Sequence, residues 1–230
     1  MIIPVFNRAG LLTEAVESTL GQDGAQLEVI VVDDSSTDSS LAVARQIATV
    51  HPEVLVASLP VNKGPSAARN RGLELASSPF VTFLDSDDLM TASRLQRQLK
   101  ELEQHPDCLV TGRQRIVVRD GVSLPDCIAT EMSRPETSYP MTMFGSRSTF
   151  GRIGEFNESY RLLEDLEFLV RAGELGIEIR RLDSVLITRR IMGDNAVADT
   201  IGLSKARLRL FQEHHRRVGD GSWPGDSSTQ

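Results

Sequence analysis

The stretch LEVIVVDDSS, residues 27–36, decides the fold of this 230-residue chain. Its β-branched, apolar first part, residues 27–32, is typical of a buried strand, and four polar residues end that strand. Immediately afterwards, Leu41, Ala44 and Ala48 recur at the spacing of one helix face. A buried strand followed by an amphipathic helix is the repeating unit of a parallel sheet covered by helices.

The same alternation of strand and helix continues on both sides of this stretch. Apolar runs at residues 2–6, 54–59 and 80–84 predict three further strands, and Pro65 and Thr91 mark the starts of two helices. Proline suits the first turn of a helix, where its missing N–H costs little, and Thr91 is expected to cap its helix. The sequence therefore predicts an α/β fold with a mostly parallel sheet flanked by helices.

The second half of the chain is less regular and predicts a smaller, mixed segment. Its proline-containing stretch, residues 124–140, is expected to be a loop that faces a substrate. The segment from Gly219 onwards is polar and is expected to be a disordered tail. The remaining elements are predicted to be strands at residues 109–118, 177–179 and 185–188 and helices at residues 162–175 and 204–215.

Polar residues follow each of the four predicted strands. These clusters are Asn7-Arg8, Asp33-Asp34, Asn62-Lys63 and residues 85–88. Ligands of parallel sheets bind beyond the carboxyl ends of the strands. Because all four clusters fall at such ends, the sequence predicts that they form one binding site.

Charge and cysteine content restrict the class of protein. The chain has 25 basic and 32 acidic residues, a formal net charge of -7, and this balance argues against a nucleic acid as the main partner. Its two cysteines show no metal-ligand spacing, so a reducing compartment is expected. No apolar run approaches the ~20 residues of a membrane helix, and the chain begins abruptly at the first strand without a signal-peptide core. A cytoplasmic protein is predicted.

Two acidic clusters allow more than one interpretation. Asp85, Asp87 and Asp88 stand close enough to repel one another, and a divalent cation such as Mg²⁺ or Mn²⁺ would offset that repulsion. The alternative is an acidic turn in which Asp88 caps the next helix. Likewise, Asp34 ends a strand where it can accept a hydrogen bond from a ribose or a base, whereas the neighbouring Asp38 suits a helix cap.

Several motifs in register resemble the family 2 glycosyltransferases, which have the GT-A fold with its Rossmann-like sheet. They are IPVFN (3–7), VVDDSSTD (31–38), NKGPSAARNRG (62–72), FLDSDD (83–88), GEFNE (154–158) and LEDLEFLVR (163–171). The resemblance extends from residue 2 to about residue 195. It implies one catalytic domain over residues 1–218, with a nucleotide-sugar-binding half (1–105) and an acceptor-binding half (106–218).

The resemblance also assigns nucleotide-binding roles at the first two strand ends. It implies that the backbone from Pro4 to Asn7 lies beside the nucleotide and that Phe6 stacks on a uracil ring. Asp34 matches the position that hydrogen-bonds the base, which favours a UDP-linked donor. Pro4, Phe6, Asn7 and Asp34 are therefore expected to bind the nucleotide part of the donor.

Other matched residues are implied to bind the diphosphate and a metal ion. Lys63 or Arg69 is expected to supply positive charge near the diphosphate, with a purely structural Arg69 as the alternative. Beside the resemblance, Arg189 or Arg190 is a further candidate for that role, against the alternative that both are solvated charges at a strand end. Asp85 and Asp87 match the D-x-D motif, which implies that Asp85 faces the ribose or the sugar and that Asp87 binds Mn²⁺ or Mg²⁺.

Asp165 matches the general base of the family, and the neighbouring Glu164 would hold the acceptor. Taken alone, Asp165 is an ordinary acid at a helix start, where the helix dipole favours it. One position departs from the family pattern, since Met192 stands where many members have a metal-binding histidine. A thioether is a poor ligand for Mg²⁺ or Mn²⁺. Three alternatives are open: Asp87, the diphosphate and waters suffice, Asp88 or Asp194 helps, or the affinity for the metal is weak.

The resemblance therefore implies an inverting, metal-dependent glycosyltransferase. It would move a sugar from a nucleotide-linked donor, expected to be UDP-linked, to the hydroxyl of a carbohydrate, a glycolipid or a small molecule. Peripheral contact with the inner face of a membrane through the cationic run at residues 214–217 is a further option. The alternative function is a catalytically degenerate relative that serves as a nucleotide-binding or scaffold module.

Overall fold

The computed structural model describes residues 1–24, 26–122, 138–193 and 199–219. Asp194, most of the predicted substrate-facing loop and the predicted tail beyond Gly219 lie outside these residues. The described elements follow one another as β1 (Ile2–Val5), α1 (Ala9–Leu20), β2 (Val29–Asp33), α2 (Ser40–Val50), β3 (Val54–Ser58), α3 (Pro65–Leu75), β4 (Phe80–Thr82), β5 (Leu89–Met90), α4 (Arg94–Gln104), β6 (Leu109–Val118), β7 (Ser138–Ser146), α5 (Arg147–Ile153), α6 (Glu164–Glu174), β8 (Ile179–Ile191) and α7 (Thr200–Val218).

Three strands form the parallel sheet that the sequence predicts. β2 lies between β1 and β3, and both pairings are parallel. Every residue of β1 and β2 is buried, which accounts for the continuous apolar runs of these strands. The segment directly after β4 joins β1 through a parallel bridge between Ile2 and Phe83. The four strands therefore present their carboxyl ends at one edge, as predicted.

A second sheet of five strands, in the order β4-β7-β6-β8-β5, forms the mixed segment. β6 pairs with β8 in parallel and with β7 in antiparallel direction. The prediction of two short strands at residues 177–179 and 185–188 is wrong, because β8 is one strand of 13 residues. The polar pair Asp183-Ser184 in its middle hid this continuity from the sequence pattern. Pro140, predicted to lie in a loop, lies within β7.

Two helix starts differ from the prediction. Thr91 does not cap α4, because its hydroxyl donates to the backbone carbonyls of Val185 and Leu186 in β8 at 3.2 Å. α7 is longer than the predicted residues 204–215, because Asp199 accepts an N–H of the first turn at 2.8 Å. Among the described helices, none combines the length and the apolar character that crossing a bilayer requires.

A cluster of phenylalanine rings joins the two halves of the chain. Phe83 makes edge-on contacts with Phe150 of α5 and with Phe156, at centroid distances of 5.6 Å and 5.2 Å. Phe156 in turn stacks on Phe168 of α6 at 4.4 Å. Each such pair adds about 0.5–1.5 kcal/mol to the free energy of burial. The cluster therefore fixes α6 relative to β4, the strand that precedes the acidic residues 85–88.

Gly72 of α3 allows the helix to approach β1 closely, and its replacement gives a first testable prediction. A Cβ atom at position 72 would lie 2.4 Å from Cγ2 of Ile2, whose side chain is 1% exposed and has no room to move. We expect Gly72→Ala to lower the free energy of unfolding by about 1–3 kcal/mol, measured by urea denaturation. The matched control is Gly10→Ala in α1, where a Cβ atom meets nothing within 4 Å. A stable Gly72→Ala variant would contradict this packing.

Candidate active site

The loops after β1 and β2 are tied together at the carboxyl edge of the parallel sheet. The Asn7 side chain accepts the N–H of Thr37 at 2.8 Å, and the N–H of Asn7 donates to the hydroxyl of Ser36 at 3.0 Å. Asn7 and Ser35 both adopt left-handed backbone conformations, with φ of 51° and 60°. Asn7 thus shapes this edge, and the neighbouring Phe6 presents a ring that is 43% exposed.

Asp34 holds the loop after β3 against the same edge. Its carboxylate oxygens accept the backbone N–H groups of Lys63 at 2.8 Å and Gly64 at 2.7 Å. Burial raises the pKa of Asp34 despite these two hydrogen bonds. Each oxygen has a second lone pair, so Asp34 can also accept a base N–H. The Lys63 side chain is exposed, whereas Pro4 is buried within β1.

Arg69 is a buried guanidinium that connects the two halves of the chain. It projects from α3, is 2% exposed, and donates to Asp85 at 2.8 Å and to Glu164 at 2.6 Å. Burial alone disfavours its charged form, but the carboxylates of Asp85 and Glu164 raise the pKa of Arg69 above its ordinary value. Of the two roles predicted for Arg69, these charge-assisted hydrogen bonds support a positioning role.

Asp85 is held by protein groups at both carboxylate oxygens. Oδ1 accepts from Arg69, and Oδ2 accepts the hydroxyl of Tyr139 at 3.1 Å. The guanidinium of Arg189 lies over the Tyr139 ring at 4.8 Å. Burial raises the pKa of Tyr139 well above its ordinary range, so its hydroxyl remains a donor. This network fixes the orientation of Asp85.

Asp87 and Asp88 have different surroundings. Oδ2 of Asp87 accepts from Nε of Arg8 at 3.2 Å, whereas the Asp88 carboxylate accepts the backbone N–H of Arg190 at 2.9 Å. Burial and the nearby charge of Asp85 raise the pKa of both carboxyls. Because Asp88 is 2% exposed and bonded to β8, the alternative that it caps the next helix is wrong.

Arg190 is anchored rather than solvated. Its guanidinium donates to the backbone carbonyl of Asp87 and to the carboxylate of Glu14, and its side chain is 12% exposed. The alternative of a solvated strand-end charge is therefore wrong. A cavity of about 230 Å³ lies between the start of α1 and the end of β8, with Arg8 and Met192 in its lining. Arg190 thus braces the acidic loop beside this cavity.

The residues of the acidic loop fit a hard divalent cation. Mg²⁺ and Mn²⁺ are commonly held by one or two carboxylates together with phosphate oxygens of the substrate. Both oxygens of Asp85 accept hydrogen bonds, Oδ2 of Asp87 accepts one from Arg8, and the two side chains are 25% and 16% exposed. Within the described ranges, no three His, Cys, Asp or Glu side chains form a group that could hold a metal ion. Substrate oxygens would therefore supply much of the coordination.

Asp165 occupies the second position of α6 and is half-buried. Its Oδ1 accepts the N–H of Leu166 at 2.7 Å, and Leu163 precedes the helix in a left-handed conformation with φ of 61°. Burial and then the charge of Glu164 raise the pKa of Asp165 to about 7, although Arg69 opposes the shift. The dipole of a helix start lowers the pKa of an ordinary acid, so this raised pKa favours the hypothesis of a catalytic base.

Comparison with known proteins adds independent information about the chain. The sequence model of "Glycosyl transferase family 2" matches residues 1–154. The chain belongs to glycosyl transferase family 2. The putative teichuronic acid biosynthesis glycosyltransferase TuaG of Bacillus subtilis (strain 168) is 32% identical over 223 residues, which cover 94% of this chain and 88% of that protein. The chain spans only 42% and 54% of the lengths of two other curated relatives.

Solved structures of glycosyltransferases share the fold of this family 2 member. Staphylococcus aureus TarS in complex with UDP matches with a TM-score of 0.70 and 22% identity, over 96% of this chain and 66% of that chain. The mannosyltransferase PcManGT from Pyrobaculum calidifontis, in complex with GDP-Man and Mn²⁺, matches with a TM-score of 0.74 and 22% identity, over 97% and 64% of the two chains. The predicted GT-A fold is thereby confirmed.

Two residues of this family 2 site were not assigned a role from the sequence. Arg8 stands in the first polar cluster, directly after Asn7, and that position was the available signal for it. Tyr139 carries no comparable signal, because it reaches Asp85 only through the pairing of β7 with β4. The structure otherwise gathers the predicted residues into a group at the ends of β1–β3, a network around Arg69, and a set of contacts that joins Asp87 to Arg8 and Arg190.

Proposed function

We propose that this chain transfers a sugar from a nucleoside diphosphate to an acceptor hydroxyl with inversion at the anomeric carbon. The observation that carries this proposal is the bridge made by Arg69, which holds Asp85 after β4 and Glu164 beside Asp165. Arg69 thus hydrogen-bonds a donor-side carboxylate and the residue next to Asp165, and its charge also acts on the carboxylate of Asp165. This arrangement supports a reaction centre between them.

Asp165 is the proposed general base. A sugar hydroxyl is a poor nucleophile near neutral pH, so a carboxylate has to accept its proton as the new C–O bond forms. A carboxylate with a pKa of about 7 accepts that proton more readily than one with an ordinary pKa. The bond from the anomeric carbon to the diphosphate breaks on the opposite face, which gives inversion.

The leaving diphosphate gathers negative charge, which cationic groups must offset. Asp87 is the proposed holder of the Mn²⁺ or Mg²⁺ ion that supplies charge compensation when bound. Lys63, with its exposed side chain, and Arg8 at the cavity are the proposed protein cations near the phosphates. Arg190 would contribute by bracing the loop that carries Asp87.

A UDP-linked donor is proposed on the basis of two residues. Phe6 offers an exposed ring to a base, and Asp34 can accept from a base N–H. TarS was solved with UDP and with UDP-GlcNAc, and PcManGT with GDP-Man, so both nucleotides occur among proteins of this fold. We propose UDP as the first candidate and GDP as its competitor.

The acceptor is proposed to be a carbohydrate or a glycolipid, since TuaG is named for teichuronic acid biosynthesis and ExoO of Rhizobium meliloti for succinoglycan biosynthesis. Residues 1–218 are proposed to form one catalytic domain in the cytoplasm. A single hydrophobic cluster that includes both Ile3 and Phe168 supports the domain assignment.

Calorimetric titration of the purified chain with UDP and with GDP, each with and without Mn²⁺, tests this proposal. We expect Mn²⁺-dependent binding that is stronger for UDP. Binding of GDP alone would overturn the donor assignment but keep the transferase proposal. Binding of neither nucleotide under any metal condition would favour the alternative of a degenerate relative.

The raised pKa of Asp165 predicts a dependence of catalysis on pH. Only the ionised carboxylate accepts a proton, and the pKa of Asp165 is about 7. We therefore expect kcat/KM to be constant above about pH 8 and to fall about tenfold per pH unit below about pH 6. Initial rates of product formation between pH 5 and pH 9 measure this profile. A flat profile across pH 6–7 would exclude Asp165 as the titrating base.

A further inference from the structure

α7 carries an outward apolar face that the catalytic proposal does not use. Ile201, Leu208 and Phe211 are 69%, 59% and 68% exposed. At 3.6 residues per turn these side chains fall within an arc of about 80° and extend over about 15 Å along the helix. The ring of His215 continues the face, parallel to that of Phe211 at a centroid distance of 6.3 Å. We call these four residues the outer face.

Exposed cations flank the outer face on both sides. Lys205 and Arg216 project to one side of it and Arg207 to the other, and all three side chains are exposed. α7 contains five Lys or Arg residues and one acidic residue, whereas the whole chain has a formal net charge of -7. Positive charge is thus concentrated on one helix of an acidic protein.

Two acidic residues within or against the later part of α7, Glu213 and Glu174, are bonded on its protein side, whereas Asp199 at its start is exposed. Glu213, the acidic residue within the helix, accepts from Tyr160 at 2.8 Å and from Arg209 at 2.7 Å. Glu174 of α6 accepts from Arg217 at 2.7 Å and lies 2.6 Å from Nδ1 of His214. These contacts hold α7 on the domain and leave the cations beside the outer face turned outward.

We infer that the outer face docks on an anionic lipid surface. An exposed apolar stripe flanked by Lys and Arg is the pattern of helices that lie in the plane of a membrane interface. The apolar side chains would enter the boundary between headgroups and acyl chains, while Lys205, Arg207 and Arg216 contact lipid phosphates. In a two-fold dimer formed through the outer face the same cations would face one another and repel, so an anionic bilayer is a better fit than a second copy of this chain.

Docking in this way brings the acceptor side of the site within one helix diameter, ~10 Å, of the membrane. Gly202, at the start of α7, lies against Leu162, three residues before Asp165. The membrane-bound helix would therefore hold the start of α6 close to the lipid surface. In combination with the proposed function, on which this step rests, the acceptor is a sugar carried on a lipid.

Flotation with phospholipid vesicles tests the surface without requiring transferase activity. We expect the chain to float with vesicles of 30% phosphatidylglycerol in phosphatidylcholine and not with phosphatidylcholine alone. Phe211→Ser should weaken this binding about tenfold, because the substitution removes one apolar side chain that would be buried in the membrane interface. The matched control is Val50→Ser on α2, where Val50 is equally exposed at 69%, and its binding should be unchanged.

A second pair of variants tests the cations. Lys205→Gln combined with Arg207→Gln should weaken binding about fivefold per charge, because each cation near an anionic surface contributes about 1 kcal/mol. Arg45→Gln combined with Lys100→Gln, which removes two exposed charges from α2 and α4, should leave binding within about twofold. Thermal melts and nucleotide titration of all variants confirm that they are folded.

Three flotation results would overturn this inference. They are absence of flotation with the anionic vesicles, equal flotation with neutral vesicles, and unchanged flotation of Phe211→Ser. A change of oligomeric state in Phe211→Ser, measured by light scattering, would assign the outer face to a second copy and also overturn it. Failure of nucleotide binding with intact flotation would instead reject the proposed function and leave the docking surface standing.

Discussion

Asp165→Asn is expected to abolish sugar transfer while leaving donor binding nearly unchanged. The amide cannot accept the proton of the acceptor hydroxyl, and loss of a general base lowers a rate by about 10²–10⁴-fold. Asn keeps the shape of the side chain and the acceptor oxygen that bonds to the N–H of Leu166. Initial rates and calorimetric titration of the donor on the same preparation separate the two effects. Loss of donor binding would assign Asp165 a structural or metal-binding role instead.

The neighbouring Glu164→Gln variant is the matched control for this experiment. Gln retains an oxygen for Arg69 but removes the charge that raises the pKa of Asp165. We expect it to remain active, with the midpoint of the pH profile displaced to lower pH. Complete loss of transfer in Glu164→Gln, with donor binding retained, would indicate that Glu164, rather than Asp165, accepts the proton.

Asp165→Asn should also change stability in a pH-dependent way. The folded protein holds a proton on Asp165 up to about pH 7, whereas an unfolded chain releases it near the ordinary value of 3.8. Ionisation therefore disfavours the folded wild-type state as the pH rises from about 4 to 7. The variant should be more stable than the wild type above pH 7 and equally stable below pH 4, as measured by urea denaturation.

Asp87→Ala is expected to remove the metal dependence of nucleotide binding. With this carboxylate absent, the affinities for UDP with and without Mn²⁺ should become equal. Because charge compensation by a bound cation contributes several kcal/mol to the transition state, the rate should fall at least about 100-fold. Titration of UDP in Mn²⁺ and in a chelator, together with initial rates, measures both effects.

Asp88→Asn is the matched control, because it removes a different negative charge from the same loop and leaves Asp87 in place. Asp88 is buried, and its carboxylate accepts the backbone N–H of Arg190. Asn keeps an oxygen that can accept the same hydrogen bond. The variant should retain the metal dependence of UDP binding. If Asp88→Asn loses it and Asp87→Ala keeps it, the two carboxylates have the opposite roles from those proposed.

The first half of the fold could be predicted because its signals are local. The β-branched run of β2 and the apolar run of β1 reflect burial on both faces, β3 is partly exposed, and polar residues mark the strand ends. The placement of Asp34 and Asp87 beyond strand ends is predictable for that reason, whereas their binding roles stay predictions. The clusters they belong to do meet at one edge, since parallel strands present their carboxyl ends together.

The rest of the site depends on contacts between distant segments, which periodicity does not encode. Arg69 and Glu164 are 95 residues apart, and Tyr139 and Asp85 are 54 residues apart. The sequence pattern does not predict β8 as one strand, because polar residues in its middle interrupt the apolar pattern. Pairing with β6 on both sides of these residues makes the strand continuous. The pKa of Asp165 likewise depends on burial that only the assembled halves create.

The residues with left-handed backbone conformations also predict which parts of the protein unfold first. Among the described residues, Asn7, Ser35 and Leu163 are the non-glycine positions with positive φ, and all three border the site. Each such conformation costs on the order of 1 kcal/mol and is maintained by its surroundings. Mild heating or dilute denaturant should therefore relax these loops before the sheets. The protein would become inactive while its circular dichroism spectrum is still that of the native fold.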